Sequence, residues 1–324
     1  MKVFSSRVIP ENGVKLMQKA GLEVDQYAKR VQLNQEKLIE ICQKYDAFLS
    51  AGPNELNEAF FKACPNIKAI SLLSVGFDNV DIAAANKYKM AIGHTPDVVS
   101  AATADIAFFL MLAVSRKAFY MSNQIIDGKW DFIEPTANLG IEIYGKTLGI
   151  FGLGRIGMDL AKKCRAAYNM SIIYHNRNRN KMAEQELDAQ YVSFEELLHQ
   201  SDVLSVNANL SDKTKNIFDK ISFQKMKPTS IFINTARGGL HKEQDLIDAL
   251  QTGSIWGAGL DATNPEPIRK DSPLLSMPTV CVLPHIGTAT IETRAAMADR
   301  AAQNIIAGLQ GKRMPFVANP EIYE

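Results

Sequence analysis

The stretch Thr147-Leu-Gly-Ile-Phe-Gly-Leu-Gly-Arg-Ile-Gly157 decides the fold of this 324-residue chain. Its glycines follow the spacing Gly-x-Gly-x-x-Gly between an apolar strand and a helix predicted over Met158–Ala167. In that context Gly152 permits the tight turn, Gly154 lets the backbone approach a pyrophosphate, and Gly157 allows the helix to pack closely. The motif predicts a dinucleotide site with Arg155 and Ile156 at its edge. The alternative is a glycine-rich turn without a ligand.

The end of the next strand predicts which dinucleotide binds. It reads Tyr174-His-Asn-Arg-Asn-Arg-Asn-Lys181, and no acid occurs before Glu184. NAD sites usually carry an Asp or Glu there to bind the ribose hydroxyls, whereas a guanidinium binds a 2′-phosphate with two hydrogen bonds. Arg177 and Arg179, with Asn176 beside them, therefore favour NADP (NADPH), with NAD as the second possibility. A solvated basic loop is the alternative interpretation.

Short apolar runs alternate with amphipathic segments along the whole chain. The strand candidates are Val3–Ser5, Glu23–Asp25, Ala47–Leu49, Ala69–Leu73, Ala91–Gly93, Thr147–Phe151, Ser171–Tyr174, Val203–Val206, Ile231–Asn234, Ala258–Leu260 and Val280–Leu283. The helix candidates include Glu36–Lys44, Glu55–Ala63, Val80–Lys87, Ser100–Lys117 and Thr290–Gln310. This alternation is typical of βαβ units and parallel sheets.

The last helix candidate has no partner in the second series of strands, so we expect it to pack on the first. We therefore predict an α/β protein with a discontinuous first domain. A Rossmann-type doubly wound parallel sheet domain, residues 99–289, is inserted into a smaller flavodoxin-like α/β substrate domain, residues 1–98 and 290–324.

Composition excludes several classes of protein. Hydrophobic residues make up 46% and charged residues 22%, which is typical of globular domains, and 36 Lys plus Arg against 35 Asp plus Glu leave a net charge of +1. That balance gives no support for a nucleic-acid or membrane partner. The four scattered cysteines predict neither disulfides nor a metal site, and no signal peptide or membrane-length apolar run is present. We expect a cytoplasmic protein.

Polar residues follow three strands of the second series. Arg237 comes after Ile231–Asn234, Glu266 after Ala258–Leu260, and His285 after Val280–Leu283. Ligands bind outside the carboxyl ends of strands in such sheets, so the three groups are expected to meet there. Arg237 suits a substrate carboxylate, His285 suits a proton donor to a carbonyl oxygen, and Glu266 suits an orienting partner of His285.

Each of these residues also has an ordinary structural interpretation. Arg237 fits a surface salt bridge, His285 a polar loop, and Glu266 an exposed position between prolines. Asp261, at a strand end, fits either a nicotinamide contact or a simple turn.

The chain resembles the D-isomer-specific 2-hydroxyacid dehydrogenase family over essentially its whole length, and four motifs carry the resemblance. They are Gly152-Leu-Gly-Arg-Ile-Gly157, Asn234-Thr-Ala-Arg-Gly238, Gly259-Leu-Asp-Ala-Thr-Asn-Pro-Glu-Pro267 and Leu283-Pro-His-Ile-Gly287. Within the family the chain is most similar to the glyoxylate/hydroxypyruvate reductase branch. That placement rests on Ser74-Val-Gly-Phe-Asp78, Thr95-Pro-Asp-Val98 and the basic loop.

The resemblance implies Arg237 as substrate binder, Glu266 as partner of His285, and His285 as proton donor. It implies that Val75 and Gly76 offer backbone N–H groups to the substrate carboxylate. The residues it implies along the cofactor are Thr103, Asn209, Thr235, Ala236, Asp261 and Gly287. It also implies a homodimer built through the long helix and the irregular segment 117–144.

The sequence departs from the branch where Asp131-Phe-Ile133 follows Trp130, because relatives often carry a second Trp there. In relatives that aromatic reaches the partner's active site, so the substrate preference is open. We expect reduction of a small 2-oxo acid, glyoxylate or hydroxypyruvate, by hydride transfer from NADPH to C2. The product is the D-2-hydroxy acid, or glycolate from glyoxylate. The alternatives are a 2-ketogluconate-type sugar-acid reductase and a non-catalytic, dinucleotide-sensing corepressor-like protein.

Overall fold

The computed structural model describes all residues from Met1 to Glu324. The strands are β1 Lys2–Ser5, β2 Glu23–Gln26, β3 Ala47–Ser50, β4 Ala69–Leu72, β5 Ile92–Gly93, β6 Thr147–Phe151, β7 Ser171–His175, β8 Gln190–Tyr191, β9 Val203–Val206, β10 Ile231–Asn234, β11 Gly257–Leu260 and β12 Val280–Val282. The helices are α1 Glu11–Lys19, α2 Gln35–Cys42, α3 Glu58–Ala63, α4 Ile82–Lys87, α5 Ser100–Ser115, α6 Ala118–Ile126, α7 Arg155–Tyr168, α8 Lys181–Leu187, α9 Phe194–Gln200, α10 Lys220–Gln224, α11 Glu243–Gln251 and α12 Ile291–Leu309.

The chain divides into two compact units. One unit comprises Met1–Val99 together with Ala289–Glu324, and the other comprises Ser100–Thr288. These limits differ by one residue at each junction from the predicted boundaries. None of the helices is long and apolar enough to cross a membrane.

The first unit contains a five-stranded parallel sheet in the order β2-β1-β3-β4-β5, which is the flavodoxin-like order. Helix α12 belongs to this unit and packs on one face of the sheet, where Ala301 and Ile305 join a core with Leu49 and Ala69. Gly13 of α1 allows the close approach, because a Cβ there would lie 2.8 Å from the carbonyl oxygen of Ala298.

The second unit contains a seven-stranded parallel sheet in the order β12-β11-β10-β9-β6-β7-β8. The chain passes from β8, at one edge, to β9 beside β6, so the strand order reverses between β6 and β9. This is the arrangement of a Rossmann-type sheet, and the predicted α/β class is confirmed. The carboxyl ends of β6, β9, β10 and β11 meet at one edge and carry the segments described below.

Two of the helix boundaries that differ from the prediction have different causes, one a capping side chain and the other a left-handed backbone residue. Helix α3 begins at Glu58, three residues after the predicted start, since the Asn57 side chain accepts a hydrogen bond from the Phe60 N–H. The long helix ends at Ser115, because Lys117 adopts a left-handed conformation with φ 54°. The expectation of an irregular segment after it is wrong for Ala118–Ile126, which forms the helix α6. Strand β8 has only two residues and was not predicted.

Candidate active site

The glycine loop between β6 and α7 leaves room for a ligand. Gly152 has φ +95°, and a Cβ there would lie 2.5 Å from the amide nitrogen of Ala208. A Cβ on Gly154 would meet nothing within 4 Å. The first helical bond of α7 runs from the Met158 N–H to the Gly154 carbonyl, so the N–H of Ile156, like the other first-turn amides, has no partner inside the helix. No side chain caps this helix, which therefore suits an anion.

Asn176, at the end of β7, holds the glycine loop in place. Its side-chain oxygen accepts a hydrogen bond from the Leu153 N–H at 2.6 Å, and its amide donates to the Leu153 carbonyl at 3.2 Å. Asn180 also donates to that carbonyl. Both polar atoms of the Asn176 side chain are thus committed to the loop backbone.

The two arginines of the basic loop have different surroundings. Arg179 donates from Nε and Nη2 to the two carboxylate oxygens of Glu184, both at 2.9 Å, and its guanidinium lies 5.8 Å from the centroid of the Tyr191 ring. The carboxylate of Glu184 also accepts a hydrogen bond from the Tyr174 hydroxyl. Arg177 is exposed and makes no hydrogen bond or ion pair. It is the arginine of the pair that has no acidic partner.

Two buried polar atoms at the carboxyl edge of the second sheet lack any partner. They are Oδ1 of Asn207, one residue after β9, and Oγ1 of Thr235, one residue after β10. A buried unsatisfied oxygen requires an explanation, and a ligand in the crevice outside the strand ends supplies one. With the glycine loop, these atoms fit a dinucleotide lying along this edge. Asn209 is exposed in the same loop, and its carbonyl accepts from Thr214 at 2.8 Å.

Arg237 follows β10 on a tight turn that the Asn234 side chain organises. The Asn234 oxygen accepts from the Ala236 N–H at 3.0 Å, and its amide donates to the Arg237 carbonyl at 2.9 Å. The Arg237 guanidinium donates to the Ala236 carbonyl at 2.9 Å. Its positive charge also contributes to lowering the pKa of Glu266.

Glu266 and His285 form a close pair, with Oε1 of Glu266 2.6 Å from Nδ1 of His285. Burial raises the pKa of Glu266, but the hydrogen bond and charge of His285, with smaller contributions from the Thr263 backbone and Arg237, lower it overall. Glu266 therefore stays ionised at pH values below the usual range of carboxyl pKa values. His285 has φ 54°, in the left-handed region that a non-glycine residue rarely adopts. The pair is half exposed and accessible to a substrate.

Asp261, at the end of β11, holds the loop that carries His285. Its two carboxylate oxygens accept from the backbone N–H groups of Ile286 and Gly287, both at 2.7 Å, and only 1% of its surface is exposed. A Cβ on Gly287 would lie 2.9 Å from Asp261 and 3.4 Å from the Thr103 methyl group. These contacts bring the three residues together inside the second unit.

Val75 and Gly76 lie in the first unit, just after β4. The backbone N–H groups of both residues make no hydrogen bond within the protein. The Val75 carbonyl accepts a hydrogen bond from Nδ1 of His94 at 3.0 Å, and the Ser74 hydroxyl donates to the Gly76 carbonyl at 2.8 Å. The segment is thus fixed in position while its amides stay available to an anion.

A family model described as D-isomer specific 2-hydroxyacid dehydrogenase, NAD binding domain, matches residues 108–287. The chain belongs to this family. As a member of the D-isomer-specific 2-hydroxyacid dehydrogenases it uses a nicotinamide dinucleotide, and the resemblance seen in its motifs is confirmed.

Relatives of this dehydrogenase cover nearly its whole length. A glyoxylate reductase of Pyrococcus furiosus is 37% identical over 99% of this chain and 96% of its own. The crystal structure of a glyoxylate reductase from Paecilomyes thermophila has a TM-score of 0.87 and 33% identity, covering 99% and 98%. An NADPH-dependent glyoxylate/hydroxypyruvate reductase from Sinorhizobium meliloti, in complex with NADP and malonate, has a TM-score of 0.83 and 25% identity, covering 98% and 97%.

Sequence reasoning missed several polar groups in the two units of this dehydrogenase. Asn234 carries the Arg237 turn, His94 fixes Val75, and Asn207 presents an unpartnered oxygen. Asn234 is the last residue of β10 and Asn207 directly follows β9, so their position was a usable signal. The orientation of their amides depends on backbone groups that become neighbours only in the folded sheet.

Proposed function

We propose that this dehydrogenase reduces a small 2-oxo acid, glyoxylate or hydroxypyruvate, to glycolate or to the D-2-hydroxy acid. The observation that carries the proposal is the 2.6 Å contact between Glu266 and His285. A charged partner on Nδ1 holds the imidazole in one orientation, with Nε2 left to donate a proton. The names of the relatives support the choice of substrate class.

The side chains divide the chemistry between them. When bound, the reduced nicotinamide supplies the hydride that C2 receives. Arg237 binds the substrate carboxylate, since a guanidinium matches two acceptor oxygens. His285 gives its proton to the carbonyl oxygen as negative charge develops there, and Glu266 stabilises the imidazolium beforehand. Val75 and Gly76 offer two backbone N–H groups to the carboxylate.

The proposed cofactor is NADPH rather than NADH. The strand β7 ends without an acid, and Arg177 has no partner that would compete with a 2′-phosphate. The pairing of Arg179 with Glu184 gives that arginine a supporting part in the loop, with Arg177 as the main phosphate ligand. The NADP complex of the Sinorhizobium meliloti relative supports this choice.

The proposal includes a homodimer in the cytoplasm. Large apolar side chains are exposed around α6 and the segment after it: Ile125, Ile126, Trp130, Phe132, Ile133, Leu139 and Tyr144. Exposed apolar side chains concentrated in one segment mark an interaction surface, and a second copy of the chain is the proposed occupant. All four cysteines are free and buried, which suits a reducing compartment.

The test follows NADPH absorbance with a panel of 2-oxo acids that includes glyoxylate, hydroxypyruvate and 2-ketogluconate. We expect turnover of the two small acids and a loss of roughly a thousandfold or more in kcat for His285→Ala, because the proton donor is removed. The matched control is His199→Ala, an exposed histidine on α9. Absence of turnover above the His285→Ala background with every acid would contradict the proposal and favour a dinucleotide-sensing protein. Preference for 2-ketogluconate would favour a sugar-acid reductase.

A further inference from the structure

His241 is a fully buried histidine beside the Arg237 turn that the proposed reaction does not use. It has no exposed surface, and burial lowers its pKa to about 4. Its backbone is fixed by pairing with Phe218, and its ring lies 5.8 Å from the Phe232 ring, edge to face. The imidazole is therefore held firmly between β10 and the segment before α10.

The contacts of Asn234 determine the tautomer of His241. The Asn234 oxygen accepts from the Ala236 N–H and its amide nitrogen donates to the Arg237 carbonyl, so the amide cannot be turned over without losing both bonds. The same nitrogen lies 3.0 Å from Nδ1 of His241. Because that nitrogen donates, Nδ1 must carry a lone pair. His241 is thus neutral, with its proton on Nε2, which is buried and has no partner.

We propose that His241 is a positioning residue for Arg237. By accepting the second N–H of Asn234, its neutral imidazole fixes the amide that wraps the Ala236–Arg237 turn, and so fixes the direction in which the guanidinium points. Burying the Nε2–H without a partner destabilises the folded protein, and an apolar residue of the same size would not carry this penalty. The inference rests on the proposed role of Arg237 in binding the 2-oxo acid.

The test compares His241→Leu, which removes the acceptor, with His241→Asn, whose side-chain oxygen stands at the position of Nδ1. We expect the leucine variant to raise the KM for glyoxylate roughly tenfold, with kcat changed less than about threefold and the KM for NADPH unchanged. The asparagine variant restores the glyoxylate KM to within about threefold of the original. His241→Val replaces the leucine variant if that chain does not fold, as judged by circular dichroism.

A double-variant cycle gives a second readout. Because His241 acts through Asn234, the pair Asn234→Ala with His241→Leu raises the glyoxylate KM no more than Asn234→Ala alone. The inference is overturned if the rise in the glyoxylate KM of the double variant equals the product of the rises in the two single variants. It is also overturned by an unchanged KM in His241→Leu, by equal losses in the leucine and asparagine variants, or by a parallel rise in the KM for NADPH. If the unsubstituted protein turns over no 2-oxo acid, both the proposed function and this inference are overturned. The other outcomes overturn this inference alone.

Discussion

At the scale of single residues, the site depends on how each polar group is held. The sequence placed Arg237, Glu266 and His285 after strands of one parallel sheet, and a shared sheet edge was enough to predict that they meet. It did not predict that Asp261 would give both its oxygens to the His285 loop. These hydrogen bonds depend on which backbone N–H groups of a loop have no backbone partner, and sequence patterns do not show that.

The carboxylate charge of Glu266 is part of the proposed proton transfer. Its lowered pKa keeps the carboxylate ionised down through mildly acidic pH, so we expect its contribution to kcat/KM to be lost only when the pH falls below the usual range of a carboxyl pKa. Glu266→Gln removes the negative charge beside Nδ1 of His285 at every pH. We expect kcat/KM for glyoxylate reduction to fall roughly tenfold or more. The control is Glu292→Gln, an exposed residue of α12, and an unchanged kcat/KM in Glu266→Gln would contradict the assignment.

The choice of cofactor is also decided at this scale. Arg177→Ala removes the arginine without an acidic partner, and we expect the KM for NADPH to rise roughly tenfold while that for NADH stays within about twofold. Arg179→Ala is expected to have the smaller effect, and the double variant the largest. Lys181→Ala, an equal loss of charge at the first residue of α8, serves as control. Parallel changes in both KM values for Arg177→Ala would refute the role in phosphate recognition.

At the scale of elements, two glycines of the loop between β6 and α7 have different roles: Gly152 is needed for the fold and Gly154 for the proposed cofactor site. Gly152 is confined by Ala208 and has a positive φ, whereas Gly154 has ordinary backbone angles and open space around it. We expect Gly154→Ala to keep the melting temperature within about 2 °C and to weaken NADPH binding tenfold or more, because the methyl group occupies the place of a phosphate. Gly152→Ala is expected to lower the melting temperature. Calorimetry and fluorescence titration distinguish the two effects, and normal NADPH affinity in Gly154→Ala would contradict the proposed site.

Element types could be predicted well because the apolar runs of parallel strands are continuous and the helices between them are amphipathic. The boundaries of the elements could not be predicted. The capping oxygen of Asn57 sets the start of α3, and the left-handed Lys117 ends the long helix, and neither changes the hydrophobic pattern. Strand β8 has two residues, too few for any period to show.

At the scale of the whole molecule, the exposed apolar segment argues for assembly. Ile133 is 82% exposed, and removing such a group from water stabilises a dimer by about 2 kcal/mol. We expect light scattering to find a dimer for the original chain and a shift towards monomer for Ile133→Asp. Ile291→Asp, an isoleucine 87% exposed in the other unit, should leave the dimer intact. A monomeric original chain would contradict the assembly.

The position of α12 at the far end of the chain has a consequence during synthesis. The sheet face that it covers, with Leu49 and Ala69, leaves the ribosome before residues 100–288 and before α12 itself. At about 5–20 residues per second that interval lasts roughly 10–40 s. The second unit has all its strands in one uninterrupted segment and can complete its core in that time. The nascent segment Met1–Val99 meanwhile exposes an apolar sheet face that a chaperone can bind until α12 emerges.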